Sequence, residues 1–246
     1  MDWHKRFLQQ ARWTFQARQY LFRKAGMDHA ERVLDVGCGT GALLEEPGVM
    51  QETRIHGLDI SRENLEQAKF YAPSTDLVEG DAYFLPYASS TYDIVFCHFL
   101  MLWIRHPNQV VGELKRVVKN GGWVLLLAEP DYGGRIDFPE ELAEVGKLQS
   151  NALRDQGADP ETGRKLAQLL NSAGLAEIET GVLGGQWNQG EPAIDRHDEW
   201  RVIRSDLSGR LSEAEINRLE AIDARAWESG ERVLYIPTFY GCGKKD

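Results

Sequence analysis

The chain has 246 residues, of which 42% are hydrophobic and 27% charged, and its formal net charge is −10. The length is sufficient for one large α/β domain or for a domain with a smaller lid, and the composition is typical of a globular protein rather than a disordered or fibrous one. The acidic balance argues against a nucleic-acid partner, because phosphate binding depends on clustered positive charge. Three scattered cysteines predict no disulfide framework, and the lack of a Cys/His cluster predicts no metal site. A polar amino terminus and short apolar runs predict a cytoplasmic protein with no membrane partner.

The first half of the chain alternates between predicted helices and strands. Residues 3–24 lack Gly and Pro and repeat apolar side chains at helical spacing, which predicts an aromatic-rich amino-terminal helix. Apolar runs between turn signals then predict strands at residues 32–36, 54–60, 76–81, 92–97 and 123–128. The segments between them predict three helices. Residues 42–46 are the start of the first, and the other two span residues 61–70 and 107–119. The last of these is expected to stop at Asn120-Gly121-Gly122.

The second half carries more helical signal. Helical material is predicted at residues 139–155, followed by a helix with Asp159 as N-cap, Pro160 at its first position and Gly174 after its end. A sixth strand is predicted at residues 176–183. A capping box that starts at Ser212 predicts the start of a later helix, and the last strand is predicted at residues 232–240, with an internal Pro that favours an edge or a bulge.

Strands that alternate with helices at these spacings predict a parallel sheet with right-handed crossovers. Ligands of such sheets bind outside the carboxyl ends of the strands, where the strand order reverses. The first strand runs into "VLDVGCGTG", whose three glycines allow a sharp turn or the close approach of a ligand. Gly37, Gly39 and Ala42 fit the dinucleotide pattern, whereas Gly37, Gly39 and Gly41 fit an equally familiar pattern of alternating glycines.

Acidic residues around the glycines favour a ligand without phosphate. Asp59 ends the second strand 22 residues after Gly37, near the offset at which an acid binds a ribose diol. Asp35 precedes the turn, where its charge repels a pyrophosphate but attracts an ammonium group. Asp81 follows the third strand and can accept from the amine of adenine. A ligand with an ammonium, a ribose diol and an adenine, and without phosphate, is S-adenosylmethionine (SAM).

The linked motifs resemble those of the class I SAM-dependent methyltransferases, in particular the methyltransferase type 11 group of small-molecule enzymes related to ubiquinone and menaquinone methyltransferases. "VLDVGCGTG" is similar to that family's first motif. "GLDIS" is similar to the motif whose acidic residue binds the ribose, and "GDA" to the motif whose acidic residue binds the adenine. "ELKRVVKNGGWVLLLAEPD" is similar to the family's helix, double glycine and fifth strand. About half of the chain carries such motifs in the family's order. Several linked motifs are a stronger signal than the glycines alone.

The resemblance implies a Rossmann-like α/β fold. A seven-stranded, mostly parallel sheet carries helices on both faces, and its last strand is antiparallel and lies between strands five and six. Residues 1–246 are expected to form one SAM-binding domain. Residues 1–25 form an amino-terminal helical lid, and helical insertions after strands five and six, at residues 134–172 and 188–229, shape the acceptor pocket.

The resemblance and the residue types together define a candidate site. His98 ends the fourth strand beside the methionine part of SAM and is either a cofactor-lining residue or a general base. Asp131 and Tyr132 are candidate acceptor contacts, with a simple turn as the alternative, and Arg18 and Tyr20 are candidates to hold a carboxylate. Trp13 and Trp103 either face the sulfonium or belong to the core, and Trp187, Trp200 and Trp227 belong to the half expected to form the acceptor pocket. The predicted cofactor-binding set is Arg18, Asp35, Gly37, Cys38, Gly39, Gly41, Asp59, Ile60, Asp81, Ala82 and His98, and the predicted catalytic set is His98, Asp131 and Tyr20.

The predicted reaction is in-line transfer of the methyl group of SAM to O, N or C of a small-molecule acceptor, with S-adenosylhomocysteine as product. Most of the catalysis then comes from positioning and from exclusion of water. One alternative is another reaction of SAM, such as an intramolecular cyclisation that releases methylthioadenosine. Another is a non-catalytic SAM-binding module. The sequence leaves a monomer and a homodimer equally open.

Overall fold

The computed structural model describes residues 3–44, 53–184 and 196–246. The helices within these residues are α1 (Trp3–Ala25), α2 (Arg62–Tyr71), α3 (Pro107–Val117), α4 (Ala143–Asp155), α5 (Leu166–Ser172), α6 (Arg196–Leu207) and α7 (Glu213–Ser229). The strands are β1 (Arg32–Val36), β2 (Arg54–Asp59), β3 (Asp76–Glu79), β4 (Tyr92–Cys97), β5 (Val118–Pro130), β6 (Ile136–Phe138), β7 (Ala176–Val182), β8 (Val233–Tyr235) and β9 (Thr238–Lys244).

The main sheet confirms the predicted fold. Its strand order is β3-β2-β1-β4-β5-β9-β7. The first five of these strands are parallel to one another, whereas β9 is antiparallel to both β5 and β7. The last strand, β9, therefore lies between β5 and β7, which correspond to the predicted fifth and sixth strands. The strand order reverses at β1, so the loops after β1 and β4 flank the crevice where ligands of such sheets bind.

Two apolar layers cover the sheet. On one face, Leu21 and Phe22 of α1 pack with the inward side chains of β4 and β5. On the other face, the stripe of Val110, Val111 and Leu114 on α3 packs with α5 and the opposite side chains of the strands. The central strand β5 is buried on both faces, because helices cover it on both sides.

A third apolar cluster joins the helices outside the sheet. Val145 of α4, Trp200 and Ile203 of α6, and Ile216 and Leu219 of α7 are all buried in it. These helices form a layer of their own beside the small antiparallel sheet of β6 and β8. The predicted boundaries of the lid and of the two helical insertions stay predictions, and residues 188–195 lie outside the described residues.

Two of the described helices begin with side-chain caps, and one of these caps was predicted. Ser61 caps α2 by accepting from the backbone N–H of Asn64. Ser212 and Glu215 form the predicted reciprocal capping box at the start of α7. In the predicted helix at residues 42–46, residues 42–44 form turns, and the rest of that segment and Trp187 lie outside the described residues. No helix in the described ranges is long and apolar enough to span a membrane.

Several element boundaries differ from the prediction, and three of the differences change an element's extent most clearly. The helix predicted to reach residue 119 ends at Val117, because Gly121 and Gly122 pair with Lys245 and belong to β5. The helix predicted from Asp159 begins instead at Leu166, since a Cβ on Gly163 would lie 2.5 Å from a backbone oxygen of β5 and the chain first forms a 3₁₀ turn there. The predicted last strand is divided at Pro237 into β8 and β9.

Candidate active site

One large cavity lies at the carboxyl ends of β1, β2 and β4. Its volume is about 1520 Å³, whereas sites for single small ligands usually have about 300–1,000 Å³. One end is lined by Asp35, the glycine loop, Asp59 and His98. The other end is lined by side chains of α4, α6 and the segments around β8. The volume therefore suits a cofactor and a second molecule together.

The glycine loop is shaped by close contacts rather than by free donors. Gly37, Gly39 and Gly41 all have positive φ angles, of 76°, 54° and 83°. A Cβ on Gly37 would lie 2.9 Å from Leu100 Cδ1, and one on Gly39 would lie 3.0 Å from Phe7 Cε2. Glycine is therefore required at both positions by conformation and by space.

The backbone donors of this loop are used inside the protein. The N–H groups of Gly37 and Cys38 both donate to the carbonyl oxygen of Leu58, at 2.7 and 3.0 Å. The Cys38 N–H therefore has an acceptor within the protein. The Gly39 N–H donates to Asp59 Oδ2 at 2.8 Å. A loop whose N–H groups are occupied in this way lacks the donors by which dinucleotide sites cradle phosphate, which supports a phosphate-free ligand.

Asp59 is held rigidly at the end of β2. Its Oδ2 accepts from Gly39 N, and its Oδ1 accepts from the backbone N–H of Ser61 at 2.8 Å. Asn64 Nδ2 also donates to Oδ1 at 3.5 Å, so Oδ2 is the oxygen that keeps a lone pair for a further donor. Asp59 lines the cavity, and these bonds fix the orientation of its carboxylate.

Asp35 is a buried acid that lacks part of its hydrogen bonding. Only 2% of its surface is exposed, and its Oδ1 has no hydrogen-bond partner among the described residues. Burial raises the pKa of Asp35 well above its usual range, the nearby Asp59 raises it further, and Arg18 opposes the rise. A buried acceptor without a donor costs about 1–3 kcal/mol. An ammonium group in the cavity would supply the missing donor and a compensating charge.

His98 is connected to α1 by a hydrogen bond. Its Nε2 lies 2.8 Å from Thr14 Oγ1, and Arg18 Nη1 donates to the same hydroxyl at 2.5 Å. Burial lowers the pKa of His98 well below its usual range, and the Arg18 charge lowers it further. The imidazole is therefore neutral at physiological pH. His98 and Thr14 line the cavity, whereas Arg18 lies behind them and is not among the lining residues.

The amino-terminal helix covers the glycine loop. His4 stacks on Tyr71 of α2 with ring centroids 3.5 Å apart, and its Nδ1 lies 2.9 Å from Thr40 Oγ1. Phe7 packs against Gly39, and the aromatic rings of Trp3 and Trp13 line the cavity. The position of α1 agrees with the predicted lid, since it closes one side of the cavity.

Two predicted catalytic residues do not reach the cavity. Tyr20 is exposed on the outer side of α1, and its hydroxyl donates to Glu179 Oε1 at 2.8 Å. Asp131 is buried in a bidentate ion pair with Arg164, at 2.5 Å from Nε and 2.7 Å from Nη2. Neither residue lines the cavity. The structure therefore gives both side chains structural partners and does not place them with His98.

The predicted adenine-side residues lie beside the cavity rather than among its lining residues. Ile60 is 72% exposed, and Asp81 accepts from the backbone N–H of Tyr83 at 2.9 Å. Ala82 is buried in the core, and Gly41 packs against α2. Their roles toward the cofactor stay predictions. Cys38 lines the cavity, and burial raises the pKa of its thiol, so the thiol is a packing group rather than a nucleophile.

Sequence reasoning assigned no role to Glu129, which supports the loop after β4. The Glu129 carboxylate is fully buried and accepts from the backbone N–H groups of Leu100, Met101 and Leu102, at 2.9–3.1 Å. Burial raises the pKa of Glu129 to about 8, and the three backbone hydrogen bonds oppose that rise. The loop carries the cavity residues Leu100, Leu102 and Trp103. The N–H groups of this loop lie 27–29 positions before Glu129 in the chain, so no local sequence signal reveals these hydrogen bonds.

Known proteins resemble the chain in sequence and in fold. A family model described as "Methyltransferase domain" matches residues 34–126. The demethylmenaquinone methyltransferase of Lysinibacillus sphaericus is 31% identical over 167 residues, which cover 60% of this chain and 70% of that protein. An uncharacterized methyltransferase of Schizosaccharomyces pombe is 32% identical over 149 residues, which cover 55% of this chain and 53% of that protein. The chain spans about half the length of several such curated relatives.

The fold is also that of solved methyltransferase structures. Phosphoethanolamine N-methyltransferase 2 of Haemonchus contortus, in complex with SAM, superposes with a TM-score of 0.58 at 15% identity, over 94% of this chain and 52% of that chain. The class I methyltransferase fold is defined by a mostly parallel sheet with an antiparallel strand next to one edge. It also has a glycine loop after β1 and an acidic residue at the end of β2. The chain belongs to the SAM-dependent methyltransferases, and SAM is its cofactor.

Proposed function

We propose that the chain transfers the methyl group of SAM to a small-molecule acceptor and releases S-adenosylhomocysteine. The observation that carries this proposal is Asp35, which has an unsatisfied carboxylate oxygen and lines the same cavity as the rigidly held Asp59 and the neutral His98. Asp35 would bind the ammonium group of the cofactor, and Asp59 would bind its ribose hydroxyls. The remaining volume, toward α4 and α6, would hold the acceptor.

SAM supplies an activated methyl group on a sulfonium. The protein positions the two reacting molecules and excludes water from them. The lid helix and the Leu100 loop cover the cavity and limit the access of water to the reacting atoms. His98 is neutral and lines the cavity, so it is able to take a proton from an acceptor that must lose one. Thr14 fixes the ring of His98 through its hydrogen bond. Alignment of the two molecules then provides most of the rate enhancement.

A methyl-labelled cofactor tests this proposal. The purified protein is incubated with SAM that carries a deuterated methyl group and with a library of small amines, phenols, carboxylic acids and activated carbon acids. The expected result is one labelled product formed in equal amount with S-adenosylhomocysteine. Methylthioadenosine without label transfer would show another reaction of SAM, and tight SAM binding without any turnover would favour a non-catalytic module.

A further inference from the structure

A carboxylate in the acceptor half of the cavity lacks a cationic partner. Asp206 lies on α6 and lines the cavity wall. The groups that donate to its side chain are neutral amides: Gln149 Nε2 at 3.1 Å, and the side chain of Gln156. Within the described ranges, no Lys, Arg or His nitrogen lies within ion-pair distance of its oxygens.

A chain of buried polar groups holds this carboxylate in place. Arg135 Nη1 donates to Gln149 Oε1 at 2.6 Å, which turns the Gln149 amide nitrogen toward Asp206. Arg135 is fixed by its ion pair with Asp137, at 2.6 Å, and the two side chains are only 4% and 2% exposed. Asp137 also pairs with Arg232 at 2.7 Å. The side chain of Asp206 is therefore oriented by groups that are themselves immobilised in the protein interior.

The cations near Asp206 are bound to other carboxylates. Arg210 pairs with Asp155 at 2.6 Å, and its Nε donates only to the backbone oxygen of Asp206. Arg6 of the lid pairs with Glu199, which lies on the same helix as Asp206. Burial raises the pKa of Asp206, whereas the hydrogen bonds from Gln149 and Gln156 and the charge of Arg210 oppose this rise, and Glu199 adds to it. A half-buried carboxylate without an ion-pair partner of its own carries a desolvation cost that a cationic ligand would offset.

The walls around the acceptor half also carry aromatic rings. Trp103, Trp200, Trp227 and Tyr132 line the same cavity. Trp200 is buried and its Nε1 donates to Asp223 Oδ2 at 2.8 Å, so its indole is fixed by a hydrogen bond. Aromatic faces attract organic cations by about 0.5–2 kcal/mol, depending on desolvation.

On the basis of the proposed function, we infer that the methyl acceptor carries a protonated amine, which Asp206 binds within these aromatic walls. Asp206 supplies the negative charge, and Gln149 holds it in the orientation that faces the cavity. The aromatic rings favour an acceptor with an aryl or other apolar body. An anionic acceptor would be repelled by Asp206, and a neutral alcohol would leave this carboxylate without an ion-pair partner.

Three matched probes test this inference: 2-phenylethylamine, 2-phenylethanol and phenylacetate. Binding of S-adenosylhomocysteine is measured first by calorimetry, and each probe is then titrated into the complex at pH 7. We expect the amine to bind at least about tenfold more tightly than the alcohol, which corresponds to about 1.4 kcal/mol. The Asp206→Asn variant should lose this preference, whereas Glu228→Gln, which removes an exposed charge at the cavity rim, should keep it.

A second variant separates a local effect from misfolding. Gln149→Leu removes the amide that orients Asp206 and should reduce the amine preference while S-adenosylhomocysteine still binds. Equal binding of the probes, preference for phenylacetate, absence of amine binding, or an unchanged preference in Asp206→Asn would overturn the inference. Failure of S-adenosylhomocysteine to bind the parent protein would instead refute the proposed function, so the two failures are distinguishable.

Discussion

Replacement of Asp35 by Asn is expected to change cofactor affinity and protein stability in opposite directions. The substitution keeps the size of the side chain and removes its charge. Hydrogen bonds to charged groups contribute about 1.5–3 kcal/mol. Loss of the bond between Asp35 and the ammonium of SAM should therefore weaken SAM binding about 10- to 150-fold.

The unliganded variant should be at least as stable as the parent protein. Asp35 is buried and one of its oxygens lacks a partner, so its ionised form is costly in the absence of a ligand. Because the pKa of Asp35 is raised in the folded state, its contribution to stability is present at low pH and is lost as pH rises through the raised value. Asp35→Asn removes this pH dependence.

Calorimetric titration of SAM and thermal melts over a range of pH check both effects. SAM affinity of the parent protein should fall as pH drops below the raised pKa of Asp35, because the ammonium binds the ionised form, and this fall should be absent in Asp35→Asn. Asp76→Asn is the matched control, since Asp76 is exposed and begins β3 at the opposite end of the sheet. A variant that binds SAM as tightly as the parent, or that melts well below it, would refute the reasoning.

Three further substitutions test the supports of the cavity. Gly39→Ala places a Cβ 3.0 Å from Phe7 at a residue with a positive φ, so we expect the free energy of unfolding to fall by about 1–2 kcal/mol. The melting point should then be lower by about 2–8 °C, and SAM binding should be weaker. An unchanged melting point would contradict the assigned contact. Glu129→Ala leaves three buried N–H groups without an acceptor and should cost about 3–5 kcal/mol in chemical denaturation, whereas a cost below about 1 kcal/mol would show that water replaces the carboxylate. For His98, the lowered pKa means that any titration of the imidazole in the pH profile of kcat/KM lies below pH 6.5 and disappears in His98→Gln; a limb above pH 7 that survives this change would exclude His98 as its source.

Several signals that are local in sequence gave accurate predictions, although the N-cap predicted at Asp159 did not. The glycine loop after β1, Asp59 at the end of β2 and the capping box at Ser212 each depend on residues a few positions apart, and the structure forms them as expected. The position of the last strand between β5 and β7 came from the family resemblance, since periodicity alone does not reveal strand order.

Features that depend on distant partners were not readable from the sequence. Asp131 pairs with Arg164, 33 positions later, and Tyr20 pairs with Glu179, 159 positions later, so neither residue is available in the cavity. The orientation of the Asp206 side chain depends on Gln149, 57 positions earlier on another helix. Such pairs follow from how helices pack on the sheet, which a single sequence specifies only through the complete fold.

The most direct test of cofactor binding and use is a calorimetric titration of SAM into the purified protein, with mass spectrometry of the nucleosides before and after incubation. We predict that SAM binds at one site, stays intact without an acceptor, and yields S-adenosylhomocysteine once an acceptor is added. Absence of SAM binding, or release of methylthioadenosine without an acceptor, would contradict the assignment of this cavity to methyl transfer.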